Sequence, residues 1–147
     1  MNKNLSSFAI VLVFILVSYH FLTVVNIDNI KSVNIAGQNI KVELAVTQAE
    51  QERGLSASLD LAETEGMLFI FAESGRHPFW MKDMKFPIDI IWLNENMSIV
   101  YIKKDARPES YPEIYSPDKD SKYVLEVVSG FADKNNLKIG DEAKSIH

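Results

Sequence analysis

Three charged side chains set in apolar company are the residues of this chain best placed to do chemistry: Lys82, Asp89 and Glu126. Lys82 follows Phe79-Trp80-Met81, Asp89 lies within Pro87-Ile88-Asp89-Ile90-Ile91, and Glu126 within Val124-Leu125-Glu126-Val127-Val128. Charge among apolar residues is costly unless it is paired or used. On an extended chain Trp80 and Lys82 share a face opposite Phe79 and Met81, Asp89 lines up with Ile91 and Leu93, and Glu126 with Val124 and Val128. Two readings follow. In the first, Lys82 pairs with Asp89 or Glu126, with Arg53 as a further partner, and the group is structural; a buried pair is weak evidence of function. In the second, the charges form a polar cluster in a concave apolar pocket, walled by Trp80, Phe79 and Phe71, that recognises a small ligand. The candidate binding residues are therefore Trp80, Lys82, Asp89, Glu126 and Arg53.

Asp89 and Glu126 also suggest an acid/base pair of the glycoside-hydrolase kind, acting on a cell-envelope polymer. Such chemistry needs carboxyls roughly 5–9 Å apart across a cleft. A pair drawn from 20 acidic residues has little specificity by itself, so no catalytic residue is assigned. Other chemistries find less support. With no cysteine there is no thiol nucleophile, thiolate metal site or disulfide. His20, His77 and His147 are scattered and form no ligand pair, so neither metal nor cofactor is expected. Neither a glycine-rich phosphate loop nor a Gly-x-Ser-x-Gly elbow is present. A net charge of −5 without a Lys/Arg cluster argues against a nucleic-acid partner.

The elements that must position these residues can be read from the pattern. Residues 79–93 carry both tryptophans of the chain and are divided by Pro87, which fixes its own φ and cannot donate to a ladder. The expectation is two strand-like segments hinged there. Lys31 to Ala36 and Asn39 to Val46 read as strands joined by a turn at Gly37-Gln38-Asn39. Thr47 with Glu50 makes a capping box for a short helix, Gln48 to Arg53, ended by Gly54. Leu59 and Leu61 are expected to tack the following loop to the core. Gly66 to Phe71 is an apolar strand. Ile88 to Leu93 and Met97 to Lys103 make a hairpin, Lys122 to Val128 a strand, Phe131 to Asn136 a short helix, and a last strand runs to Lys144. Asp105 to Ser121, with Pro108, Pro112 and Pro117, is a long loop of the kind more often functional or mobile than structural; docking of a partner through it is a third reading. Many short strands at this spacing predict a mainly β (α+β) domain, a small barrel-like or rolled mixed sheet with two short helices.

An apolar run precedes the domain. Leu5 to Val25 approaches the roughly 20 residues that span a bilayer. It lacks an Ala-x-Ala-like site after its core, and Lys3 favours the cytoplasmic side. The expected organisation is a signal-anchor or signal peptide over 1–25, a linker and first strand over 26–38, and the domain proper over 39–147. The domain would lie outside the cytoplasm, anchored in the membrane through residues 5–25, or secreted or periplasmic if the segment is cleaved.

Gly54-Leu55, Gly66-Met67-Leu68-Phe69-Ile70-Phe71, Phe79-Trp80-Met81-Lys82, Pro87-Ile88-Asp89-Ile90, Leu125-Glu126-Val127 with Gly130, and Gly140-Asp141 occur in an order and spacing that resembles the DUF192 family. The resemblance covers about residues 40–145. It implies a compact β-rich domain, often preceded by a signal or anchor segment, and no established activity. Two departures stand out. The family usually continues Phe-Trp-Met-Lys with Asn-Thr, where this chain has Asp83-Met84, and usually places an arginine soon after Gly-Leu, where this chain has Ser56-Ala57-Ser58. The reading that joins these observations is a DUF192-like module binding a small ligand or an envelope protein.

Overall fold

The computed structural model describes residues 29–147. Strands β1 (Ser32–Ile35) and β2 (Gln38–Ala45) form a hairpin. Its two turn residues, Ala36 and Gly37, both take positive φ (50° and 76°), as tight hairpins that match the strand twist require. The turn therefore lies one residue earlier than the sequence suggests. Thr47 then caps helix α1 (Gln48–Arg53), with both halves of the capping box in place and Gly54 as C-cap. A single 3₁₀ turn, Gly54–Ala57, follows. This crossover carries the chain to β3 (Glu65–Gly75), which pairs with β2 in parallel; a parallel pair cannot be closed by a tight turn.

Strands β4 (Ile88–Leu93), β5 (Ile99–Ala106), β6 (Ser121–Val128) and β7 (Ala143–Ile146) pair antiparallel with their neighbours. The sheet order is β5-β4-β6-β3-β2-β1-β7. Its two edges curl towards each other and meet at one end. There Ile99 N–H donates to the Asp141 carbonyl at 2.8 Å, and Ala143 N–H to the Met97 carbonyl at 2.9 Å. The result is a curled, half-barrel sheet with two short helices, α1 and α2 (Phe131–Lys134), in a mainly β domain.

The sheet buries both faces. Its inner face packs Leu68, Ile70, Ile91, Leu93, Leu125 and Val127 against the hairpin and α2. Its outer face packs Met67, Phe69, Ile88, Ile90, Trp92 and Val124 beneath α1 and the segments flanking Met81 and Tyr115. This is why β4 is buried at every position and reads as an apolar run broken only by Asp89.

Several expectations need correction. Residues 79–87 are not a strand; they form a covering segment held by one antiparallel bridge, Phe79 to Tyr115, with both main-chain bonds at 2.8 Å. Leu61 packs against the core as expected, but Leu59 is 78% exposed, and Leu55 is the second residue that fastens the loop. The region from Asp105 to Ser121 is partly structural: it ends β5, forms a 3₁₀ turn at Pro108–Ser110 and buries Tyr115, whose ring lies 4.5 Å from Lys103 Nζ. The N-terminal anchor expected over residues 1–25 lies outside the described residues. Among the described residues, no helix is long and apolar enough to cross a membrane.

Candidate functional site: an aromatic cleft over Glu126

The register across the central strands decides which predicted residues can meet. Ile90 of β4 and Met67 of β3 both pair with Glu126, whereas Asp89 pairs with Val127. Side chains alternate across a strand, so Glu126 projects to the outer face and Asp89 to the inner one. The two carboxyls do not share a cleft, and this geometry gives an acid/base couple between them no support. Asp89 is fully buried and its oxygens accept main-chain hydrogen bonds, Oδ1 from Asp105 N–H and Oδ2 from Ala132 N–H, each at 2.8 Å. Asp105 sits at positive φ (48°) where β5 ends, and Ala132 lies in the first turn of α2. Asp89 thus ties a strand end to a helix start.

Glu126 meets different surroundings. It is 4% exposed, and its Oε2 is buried without a hydrogen-bond partner. Burial pushes its carboxyl up to about 8. At neutral pH the group is predominantly the protonated acid, able to donate as well as accept. It forms part of the wall of a cleft of about 210 Å³ between α1, β3 and the segment 78–84. Phe69, Phe71, Phe79 and Trp80 supply the aromatic lining, and Arg53 and Lys82 the cations. Phe79 stands edge-on to Phe69 (4.8 Å between centroids) and to Trp92 (5.6 Å), so the wall is rigidly backed. Trp80, by contrast, is 54% exposed, with one surface free.

Local structure explains how these groups are held. Gln51 fastens α1 to the sheet by donating from Nε2 to the carbonyls of Ala45, Val46 and Ile70. Gly54, at φ 48° and ψ −141°, reverses the chain beside Phe69 in a conformation that side chains other than hydrogen disfavour. The other wall hangs on Trp92, whose Nε1 donates to the His77 carbonyl at 2.8 Å. His77 stacks flat on Phe71, with centroids 3.5 Å apart, and burial lowers its basicity. Asp83 lies at φ 60°, a left-handed position that Asn and Asp tolerate better than most residues. The departure from Asn to Asp83 directly after Phe-Trp-Met-Lys is therefore compatible with a backbone requirement.

Of the five predicted site residues, Trp80, Lys82, Glu126 and Arg53 gather around one cleft, and Asp89 lies on the other side of the sheet. The expected ion pairs do not form: the pairs among the described residues are Lys104–Asp133, Arg107–Asp105 and Lys134–Glu63. Phe69, Leu55, Gln51 and Met84 also line the cleft and escaped the sequence reading. Phe69 could have been found, because it shares a strand face with Phe71 and Met67. Gln51 gives no local signal. No group of three His, Asp or Glu side chains that could hold a metal gathers among the described residues.

The sequence matches the DUF192 family, described as Uncharacterized ACR, over residues 31–145. The chain belongs to the DUF192 family. Its fold is shared with a protein of unknown function from Novosphingobium aromaticivorans, at 29% identity and a TM-score of 0.74, over 78% of this chain and 84% of that one. A candidate transcription regulator from Sinorhizobium meliloti is similarly close, at 29% identity and a TM-score of 0.72, over 78% of this chain and 90% of that one. No curated protein matches the sequence. These likenesses describe the DUF192 fold; function must be argued from the site.

Proposed function

We propose that this DUF192 domain is a small-ligand-binding module and that the ligand occupies the cleft between α1, β3 and residues 78–84. The observation that carries this reading is the buried, unpartnered Oε2 of Glu126 within an aromatic cleft. A buried polar atom without a partner costs on the order of 1–3 kcal/mol, and a ligand that supplies the partner recovers that cost. Apolar walls with a few convergent polar groups are the usual make-up of small-molecule sites. The apolar run from Leu5 to Val25 supports an exported placement, with the domain held outside the cytoplasm by an uncleaved membrane anchor.

Lys82 provides the test. It is exposed and takes part in none of the ion pairs among the described residues, so Lys82→Met should leave the melting temperature within a few degrees. A small-molecule library surveyed by NMR against the full chain should produce shifts on Trp80, Phe79 and Met84. Lys82→Met should weaken those binders about tenfold, equivalent to about 1.4 kcal/mol. Binders that leave Trp80 unperturbed, or a variant that melts much earlier, would count against the cleft and for a structural Lys82.

A further inference from the structure

Resting on the cleft as the binding site, we infer that its ligand is a small organic anion: a compact aromatic or apolar body lying between the rings, its anionic group drawn to Arg53 and Lys82, and a hydrogen-bond acceptor placed at Glu126. Four charged or titratable groups line the cleft: Glu52 and Arg53 from α1, Lys82 from the covering segment and Glu126 from β6. Glu52 is already engaged, accepting from Gln48 Nε2 at 2.8 Å. Arg53 and Lys82 are exposed and absent from the three ion pairs among the described residues. The cleft therefore presents two cations free to meet an anion and one carboxylate partly occupied by an amide.

Glu126 selects in the same direction. Buried without a partner and protonated at neutral pH, it offers an O–H to a carbonyl, ether or hydroxyl oxygen. An ammonium ligand would lie near two like charges, in a desolvated setting where an unpaired cation is costly. A neutral ligand would leave the cations unused. Phe69, Phe71, Phe79 and Trp80 favour a flat body, and the modest volume favours a small one.

The probes that separate these cases are 4-methoxybenzoate, 4-methoxybenzyl alcohol and 4-methoxybenzylamine. They share a ring and an ether acceptor and differ in charge. Titrated into the full chain at pH 7 and followed by the indole N–H resonance of Trp80, the carboxylate should bind about tenfold tighter than the alcohol, and the amine most weakly. The Arg53→Met, Lys82→Met double variant should bring carboxylate and alcohol to similar affinity. Between pH 7 and 9 the carboxylate should lose affinity as Glu126 ionises and repels it, and Glu126→Gln should lose much less over the same range. An amine that binds as well as the carboxylate overturns the anion assignment, as does a carboxylate preference that survives the double variant. So does the failure of all three probes. If library compounds still shift Trp80 in those cases, the cleft stands as a binding site and only its charge preference falls; if they do not, both fall together.

Discussion

Glu126 and Asp89 look alike in sequence, each an acid within an apolar run, and the sheet gives them opposite roles. Asp89 receives two main-chain N–H groups, whereas Glu126 Oε2 receives none and is held neutral by desolvation. The difference has a consequence for stability. The folded-state value of Glu126 is raised from 4.5 to about 8, so the unfolded chain ionises it first as pH rises. Its contribution to stability is complete below about pH 4.5 and is lost as the pH climbs towards 8, at no more than about 1.4 kcal/mol per pH unit. Glu50 and Asp105 act in the opposite sense: hydrogen bonds lower both, so their contributions appear above their ordinary values and fade in acid. Denaturant unfolding from pH 5 to 8.5 should show the wild type losing stability relative to Glu126→Gln across that range. Parallel profiles would mean that Glu126 is ionised in the folded protein, and its role as a donor would be untenable.

At the scale of single elements the sequence is informative where local chemistry decides and silent where contacts do. The capping box at Thr47, the helix Gln48–Arg53 and the Gly54 cap are all legible because each depends on neighbours within a few residues. The segment 79–87 misleads because alternation of exposed and covered residues also arises in a chain lying flat over a sheet, where Trp80 and Lys82 face the cleft and Met81 faces the core. Gly66 begins an evident strand, but its reason for being glycine is tertiary. A Cβ there would come within 2.6 Å of the Glu126 main-chain oxygen across the β3–β6 ladder, the close backbone approach that a strand glycine often marks. Gly66→Ala should therefore cost about 1–3 kcal/mol through overpacking. It should also shift the Trp80 indole resonance, since relief of the contact displaces the strand that carries Glu126. An alanine variant as stable as the wild type, with its cleft resonances unmoved, would show that the ladder yields there freely.

Across the whole molecule the sheet separates two tasks, and that separation could not be read from the chain. Strand periodicity announces a β-rich domain, but the order β5-β4-β6-β3-β2-β1-β7 and the parallel β2–β3 pair depend on contacts between residues distant in sequence. Nor do the apolar runs Ile88 to Leu93 and Val124 to Val128 reveal that Asp89 faces inward and Glu126 outward. Once the order is known, the inner core closes the half-barrel with the hairpin and α2, and the outer core carries the walls of the cleft. Mutations in the two cores should then part stability from binding. Leu125 is fully buried inside, so Leu125→Ala should cost about 2–5 kcal/mol while the folded fraction keeps its affinity for cleft ligands. Trp92→Phe retains an aromatic ring in the outer core but removes the Nε1 donor to the His77 carbonyl, and with it one attachment of the covering segment. Its cost in stability should be smaller, about 1–3 kcal/mol for the orphaned carbonyl and lost ring area, yet it should weaken ligand binding and speed amide exchange through residues 77–84. Measuring both quantities on both variants decides the matter. Equal loss of affinity for equal loss of stability would make the two faces a single cooperative core, and the cleft would have no support of its own.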